Sequence, residues 1–188
     1  MQALNAGSYT LSDFPVGITF EIPAVEAPAE WTSCSEGAVE QAVCHWSNPD
    51  EAPPAAVTFQ IVENVRTPPC SDQESAELMD PPVGTSVDDL VTAISELEGY
   101  ETSAPEDITV SGFEGKEFTL TAVEHGCGAT WATADRVTGM GAGEVNLLRV
   151  LDVDGVRVLM AGAYHPDETP DASVSAMEQV MDSVRVES

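Results

Sequence analysis

The 188-residue chain has the length of one ordinary domain and carries 33 Asp and Glu against only six Lys and Arg, for a formal net charge of −27. Such an acidic surface repels phosphate groups, which excludes nucleic acid as a partner and unaided docking on anionic lipid. Because 43% of the residues are hydrophobic, the chain can bury a core and is not expected to be disordered. The acid excess fits solubility or adaptation to a salty medium better than attraction of cations or of a basic partner.

The first third of the chain predicts strands separated by a long polar stretch. Residues 8–22 divide into two short β runs, which predicts a hairpin or a bent strand. Residues 24–54 are rich in Pro, Ala and Glu and contain Cys34 and Cys44. We expect them to form a long excursion that a disulfide holds in place. Residues 55–65 alternate apolar and polar side chains and predict a central strand.

Two segments have the apolar spacing of helices. The first helix is expected to begin with Thr85 or Ser86 as its capping residue and to end at Gly99. The second is expected to begin with Asp171 or Ser173 as its cap. A short strand at the end of the chain follows it.

Alternating runs around turn residues predict two hairpins in the second half of the chain. One joins residues 107–112 to 115–123 through Phe113-Glu-Gly115, and the other turns at Asp154-Gly155, a pair typical of two-residue hairpin turns. The Gly-rich residues 138–143 lack the Lys-Ser/Thr pair of a phosphate-binding loop, so we expect a mobile surface loop there.

The order of these elements, about eight strands and two helices, predicts an α+β fold. We expect an antiparallel β-sheet flanked by helices. Residues 1–188 are expected to form a single globular domain, with a disulfide-stapled excursion at about 24–54, and to be a monomer.

The even number of cysteines predicts disulfides. Four cysteines in an acidic, Lys-poor chain indicate an oxidising compartment and two disulfides, for which three connectivities are possible. We favour the pairs Cys34–Cys44 and Cys70–Cys127. The first would close a short segment, and the second would tie two distant parts of the chain together.

Metal binding is the alternative use of these residues. His45 follows Cys44, and His125 lies two residues before Cys127, but no Cys-x-x-Cys spacing typical of structural zinc is present. The acids of Asp152-Val-Asp154 resemble calcium ligands, yet the other ligands of a calcium loop are missing, so we assign them to the turn. We therefore predict no metal and no cofactor.

The sequence contains no catalytic motif. It has three histidines and no Gly-x-Ser-x-Gly, and we predict no catalytic residue. His165 is expected to cap or to lie at the surface, unless a carboxylate lies beside it in a cleft. Trp31, Trp46 and Trp131 are, with His165, the candidate residues of a ligand surface, although packing is the commoner use of tryptophan.

The sequence shows no address for export. Residues 1–8 lack the basic and apolar stretch of a signal peptide, and no run of about 18 apolar residues is present. If the protein is exported, as its cysteines indicate, we expect its targeting segment or lipid anchor to be absent from this chain.

Several segments resemble those of known families. Phe20-Glu-Ile-Pro23 with the following Trp31, the hairpin Asp152-Val-Asp154-Gly155 and the closing Met181-Asp-Ser183-Val184-Arg185-Val186 resemble PsbP-like α/β/α sandwich domains. Asp80-Pro-Pro-Val-Gly84-Thr-Ser-Val-Asp88-Asp-Leu-Val-Thr-Ala-Ile94 resembles exported proteins of high-GC Gram-positive bacteria. The resemblance spans roughly residues 8–187 and implies a sandwich fold and an exported, often lipid-anchored, binding or accessory role. It implies no catalytic residues, and the Cys34–Cys44 segment departs from its pattern.

The sequence therefore predicts a non-catalytic extracytoplasmic binding or accessory domain, which serves a protein or a small-molecule ligand. Two alternatives remain open. One is a small secreted hydrolase that uses a carboxylate and His165, and the other is a calcium-dependent binding module.

Overall fold

The computed structural model describes residues 2–11, 13–26, 29–38, 40–46, 54–67, 77–123, 127–133 and 137–187. In these residues the backbone forms sixteen strands and two helices. In chain order they are β1 (Gln2–Leu4), β2 (Gly7–Thr10), β3 (Gly17–Ile22), β4 (Glu30–Glu36), β5 (Glu40–Trp46), β6 (Ala55–Ile61), β7 (Asn64–Thr67), β8 (Glu77–Leu78), α1 (Val87–Ser95), β9 (Tyr100–Thr102), β10 (Glu106–Val110), β11 (Phe113–Ala122), β12 (Cys127–Ala132), β13 (Val137–Met140), β14 (Val145–Val153), β15 (Val156–Tyr164), α2 (Asp171–Ser183) and β16 (Arg185–Glu187).

Nine strands form one large antiparallel sheet. Eight of them follow the order β1–β4–β5–β6–β15–β14–β11–β10, and β9 pairs with the far end of β11 on the same side as β10. The turn between β14 and β15 lies at Asp154 and Gly155, whose φ angles of 50° and 87° suit a two-residue hairpin. The Asp152 carboxylate accepts a hydrogen bond from the Gly155 N–H at 2.7 Å. The assignment of these acids to a turn is confirmed.

The two faces of the large sheet are covered by different layers. On one, which we call the α2 face, α2 packs together with the three-stranded sheet β16–β3–β2. On the other, the α1 face, α1 packs together with the four-stranded sheet β13–β12–β7–β8. Adjacent residues of one strand therefore belong to different cores. Leu148 and Val150 lie in the core of the α1 face, Leu151 and Val153 lie in that of the α2 face, and none of the four is more than 2% exposed.

The predicted fold class is wrong. The protein is a β-rich fold and not an α+β antiparallel sheet flanked by helices, because each helix shares its face with a small antiparallel sheet. The described residues contain sixteen strands where about eight were expected. The α/β/α sandwich implied by the resemblance to PsbP-like domains is overturned by the same finding.

The Cys34–Cys44 segment is a hairpin and not a loop excursion. Strands β4 and β5 pair antiparallel, and a disulfide joins Cys34 to Cys44 with their Cα atoms 5.9 Å apart. The register of the pair shifts between Ser33 and Ser35, so Cys34 lies at a β-bulge. The bridge therefore links two neighbouring strands of the large sheet.

The predicted Cys34–Cys44 disulfide is thus confirmed. The predicted Cys70–Cys127 disulfide is not tested, because Cys70 lies outside the described residues. That pairing stays a prediction.

The β10–β11 hairpin forms as predicted, but its turn is shifted. Ser111 and Gly112, with φ angles of 53° and 93°, make the turn, so Phe113 begins the following strand. Gly115 belongs to β11, and a Cβ atom on it would lie within 2.2 Å of the Val150 carbonyl oxygen of β14. The glycine therefore permits a close approach of two strands and does not make a turn.

The two helices begin differently. Ser86 caps α1, as predicted: its hydroxyl accepts the Asp89 N–H and the Asp89 carboxylate accepts the Ser86 N–H, both at 3.1 Å. The predicted caps of α2 are wrong, because the helix begins at Asp171 after Pro170 and has no side-chain cap. Ser173 lies inside the helix with its side chain in the core.

Arg157 fastens the start of α1 to the large sheet. Its guanidinium group donates hydrogen bonds to the backbone carbonyls of Val62, Glu63, Gly84 and Ser86. Burial lowers the pKa of Arg157, and the nearby Asp89 carboxylate opposes this effect. The guanidinium remains charged, because an arginine pKa starts far above neutral pH.

We expect Arg157→Met to lower the free energy of unfolding by about 2 kcal/mol, because hydrogen bonds to a charged group are lost and carbonyl oxygens are left without partners. Arg185→Met is the matched control, since Arg185 is exposed and no hydrogen bond or ion pair of its side chain is seen in the described residues. Urea denaturation measures both variants. Equal stability of the two would contradict the role given to Arg157.

We expect the double variant Cys34→Ser, Cys44→Ser to unfold more easily. The bridge joins residues ten positions apart, and the chain-entropy model assigns a loop of this length about 2.5 kcal/mol of stabilisation. Urea denaturation of the oxidised parent and of the double variant measures the difference. A variant as stable as the parent would show that the bridge adds nothing to the hairpin.

Candidate functional site

The structure places two of the three tryptophans in the core. Trp31 packs on the α2 face and Trp131 on the α1 face, and each is 1% exposed. Trp46 ends β5 opposite Glu30, and its side chain lies outside the described part of the chain. The two buried rings stabilise the two cores and offer no surface to a ligand.

A buried polar network anchors Trp131. The Trp131 indole N–H donates to the Gln60 amide oxygen at 2.6 Å, and the Gln60 amide nitrogen donates to the Glu40 carboxylate at 2.8 Å and to the Thr138 hydroxyl at 3.0 Å. Gln60 and Glu40 belong to the large sheet, and Trp131 and Thr138 belong to the four-stranded sheet. The network therefore fixes one sheet against the other, which is a structural role.

Trp31 contacts a buried histidine. The rings of Trp31 and His45 meet edge to face, with centroids 4.9 Å apart. His45 is 3% exposed, and neither its ring nitrogens nor the Trp31 indole N–H has a hydrogen-bond partner among the described residues. Burial lowers the pKa of His45, so the ring is neutral at neutral pH. We therefore expect acid to destabilise the core around Trp31 and His45.

His165 lies beside a carboxylate, just after β15. Its Nε2 is 3.9 Å from the Glu144 Oε2, beyond hydrogen-bond distance. The same carboxylate accepts hydrogen bonds from the Gly141 N–H and from the Asn146 amide, both at 2.8 Å. Glu144 therefore holds the turn that joins β13 to β14, and its contact with His165 is secondary.

The described contacts of this pair belong to turns, and the hydrolase alternative stays a prediction. A hydrolase needs a nucleophile within reach of its base. The His165 backbone N–H donates to the Thr169 hydroxyl at 3.0 Å, and the His165 carbonyl accepts from the N–H groups of Glu168 and Thr169, so these bonds form the turn before α2. The four cavities that the structure describes do not include the His165–Glu144 pair.

Three cavities lie along β10, at the edge of the large sheet. One of about 490 Å³ lies on the α2 face, between β10 and the end of α2. Another of about 300 Å³ lies on the α1 face, between β10 and the start of α1. The third, of about 330 Å³, lies over Asp107–Thr109. We call β10 with these three cavities the β10 groove.

The outer edge of β10 has no described strand beside it. In a two-residue hairpin the residues that flank the turn exchange hydrogen bonds, and such pairs then alternate along the strands. Val110 pairs with Phe113 across the turn, so Val110, Ile108 and Glu106 direct their backbone groups toward β11. Asp107 and Thr109 therefore direct their N–H and C=O groups outward, where an added strand can bind them.

The α2-face cavity has balanced charge. Arg149 donates to the Glu117 carboxylate at 2.6 Å, to the Asp182 carboxylate at 2.7 Å and to the Met181 carbonyl at the end of α2 at 2.8 Å. Burial lowers the pKa of Arg149, but these two carboxylates outweigh burial and raise it above the ordinary value. With Arg185, the cavity contains two cations and two carboxylates.

The α1-face cavity is acidic. Its charged residues are Asp88, Asp107, Glu114, Lys116 and Asp152. The Lys116 ammonium group binds the Asp107 carboxylate and lies 3.8 Å from that of Asp88. The hydrogen bond with Asp107 is the main reason that the pKa of Lys116 is raised. The cavity thus contains four carboxylates and one ammonium group.

Within the described ranges, no three His, Cys, Asp or Glu side chains come together as a metal site. No helix of these ranges has the length and apolar character needed to cross a bilayer.

Compared with protein-family models, curated proteins and solved structures, the chain matches none of them. The functional proposal for this chain therefore rests on the geometry of the β10 groove. Sequence analysis missed the β10 groove, although the alternation of Ile108 and Val110 with polar residues is typical of a strand with one face in contact with the core.

We expect the stability of the protein to fall in acid through His45. Its pKa is lowered by folding, so the stabilisation is complete above the unfolded pKa of about 6.5 and declines as the pH falls below it, by at most about 1.4 kcal/mol per pH unit. His45→Leu should remove this decline. Urea denaturation of parent and variant at about pH 8 and pH 5 separates His45 from the carboxylates, which titrate in both proteins. The same pH dependence in both would refute the assignment.

Proposed function

We propose that this chain is a non-catalytic, extracytoplasmic binding domain that takes an extended segment of a partner protein as an added strand along β10. The observation that carries the proposal is the outer edge of β10, which no strand of the described residues pairs with, and the cavity on each face of the sheet beside it. In strand addition, main-chain hydrogen bonds supply affinity and pockets on the two faces receive alternate side chains. The β10 groove has both parts.

The Cys34–Cys44 disulfide supports the proposed extracytoplasmic location. Disulfides persist outside the cytoplasm and are rare within it, where thiols are kept reduced. The resemblance to exported bacterial proteins, often lipid-anchored, agrees with this location and with an accessory role.

The alternatives have weaker support. A hydrolase at His165 would need a nucleophile, and the contacts described around Glu144 stabilise a turn instead. A calcium-dependent module would need free oxygen ligands, but the Asp152 carboxylate accepts a hydrogen bond from the turn that it precedes.

Thr109→Pro tests the proposal. Proline at this position removes an outward N–H and leaves the hydrogen bonds to β11 in place, and edge strands tolerate proline in this orientation. The probe is an acetylated, amidated peptide of alternating Thr and Val. We expect it to shift the NMR signals of the Asp107 and Thr109 amides in the parent, and to bind the variant about tenfold more weakly, since one hydrogen bond is lost and the proline ring obstructs the edge.

Thr109→Ala is the matched control, because it removes the side chain and keeps the N–H. It should bind as the parent does. If Thr109→Pro does not fold, the peptide is changed instead. N-methyl groups are placed on the alternate peptide residues whose N–H groups would donate to β10, so that these hydrogen bonds cannot form. Equal binding of the methylated and unmethylated peptides, or shifts confined to residues away from β10, would refute strand addition.

A further inference from the structure

We infer that the segment bound by the β10 groove is basic on one side and apolar on the other, with Lys or Arg at every second position. This inference rests on the proposed function and adds the chemistry of the partner. Side chains of an added strand alternate between the two faces of the sheet. One set would therefore enter the α1-face cavity, and the other set would enter the α2-face cavity.

The α1-face cavity selects cationic side chains. Its four carboxylates exceed its single ammonium group by three charges. Lys116 is already bound to Asp107 and close to Asp88, which leaves Glu114 at the edge beside β10. No bond of the Glu114 side chain is seen among the described residues, and this side chain is exposed. A lysine or arginine of the partner would find an acceptor there and would be attracted by the surrounding carboxylates.

The α2-face cavity selects apolar side chains. Ile108 and Val110 of β10 lie on this face and pack against its core. Met181 and Val184 also line the cavity but are only 1% and 6% exposed, so Ile108 and Val110 supply most of its accessible apolar surface. Arg149 pairs with Glu117 and Asp182, and Arg185 balances the remaining negative charge, so the cavity has no net charge and attracts neither sign strongly. An aliphatic side chain of the partner would cover apolar surface here at about 25 cal/mol per Å² buried.

A second copy of this chain does not fit the groove. Antiparallel pairing of two β10 edges would continue the sheet and place the two α1-face cavities side by side, each with its excess of carboxylates. Each copy also carries a net charge of −27, so the two chains repel one another. The partner must instead bring positive charge to this edge.

The experiment compares three acetylated, amidated peptides, in which Val alternates with Lys, with Glu or with Thr. We expect the Lys peptide to bind the parent about fivefold more tightly than the Thr peptide at low salt, and the Glu peptide to bind more weakly than either. The advantage of the Lys peptide should shrink in about 1 M NaCl, where charges are screened over a few ångströms.

Glu114→Lys is the test variant, and Glu178→Lys is its control. Both residues are exposed, and the two substitutions change the net charge of the protein equally, but Glu178 lies on α2 and is not among the residues that line the three cavities. Glu114→Lys should remove the preference for the Lys peptide, whereas Glu178→Lys should retain most of it. NMR titration or isothermal calorimetry measures each affinity.

The outcomes separate the two proposals. If the Thr peptide binds and Thr109→Pro weakens its binding, but the Lys and Glu peptides bind equally, the inferred partner chemistry is refuted and strand addition stands. If Glu178→Lys acts as strongly as Glu114→Lys, only the overall charge attracts the peptide, which also refutes the inference. If no peptide binds at the β10 amides, the proposed function fails, and the inference fails with it.

Discussion

The structure depends on the burial of both faces of its large sheet. A strand that carries a layer on each face is apolar at most positions, as the central pair β14–β15 is except at Asn146, Arg149, Asp152 and Arg157. Leu148 and Leu151 are both fully buried, although they belong to opposite cores. Since burying one such side chain contributes roughly 1.5–3 kcal/mol, these strands stabilise both layers at once. Exposed acidic residues such as Glu106 and Asp107 lie at the edge of the sheet, whereas polar residues of the interior strands, such as Gln60, are buried with hydrogen-bond partners.

This constraint also positions the β10 groove. β9 covers only the far end of β11, so β10 forms the remaining part of that edge. The start of α1 reaches the edge on one face, and the end of α2 reaches it on the other. Acidic residues favour the positive end of a helix dipole and cations favour its negative end. Asp88 in the first turn of α1 and Arg149 at the end of α2 follow this rule, although most of the acidic charge of the α1-face cavity comes from strand residues.

Sequence analysis succeeded where the deciding interaction is local. The Asp154–Gly155 turn, the Ser86 cap and the Cys34–Cys44 disulfide each join residues no more than ten positions apart. It failed where the partner is distant. Richness in Pro, Ala and Glu predicts a loop for the segment that contains β4 and β5, yet these strands pair, and the buried Glu40 accepts a hydrogen bond from Gln60 of the next strand. The hairpin that contains β10 was also predicted, but its place at the edge follows from pairings that no local pattern encodes.

An unpaired strand edge is normally a liability, because any extended chain can add to it. In this protein the surrounding charge restricts what can be added. The acidity of the whole protein by itself suits only solubility. At β10 it would select the partner, because the carboxylates of the α1-face cavity lie beside backbone groups that can pair with an added strand. The backbone hydrogen bonds of Asp107 and Thr109 do not depend on the sequence of the added strand. Discrimination between partners must therefore come from side-chain contacts and from charge repulsion. The same carboxylates that reject another copy of the chain would hold a basic segment in place.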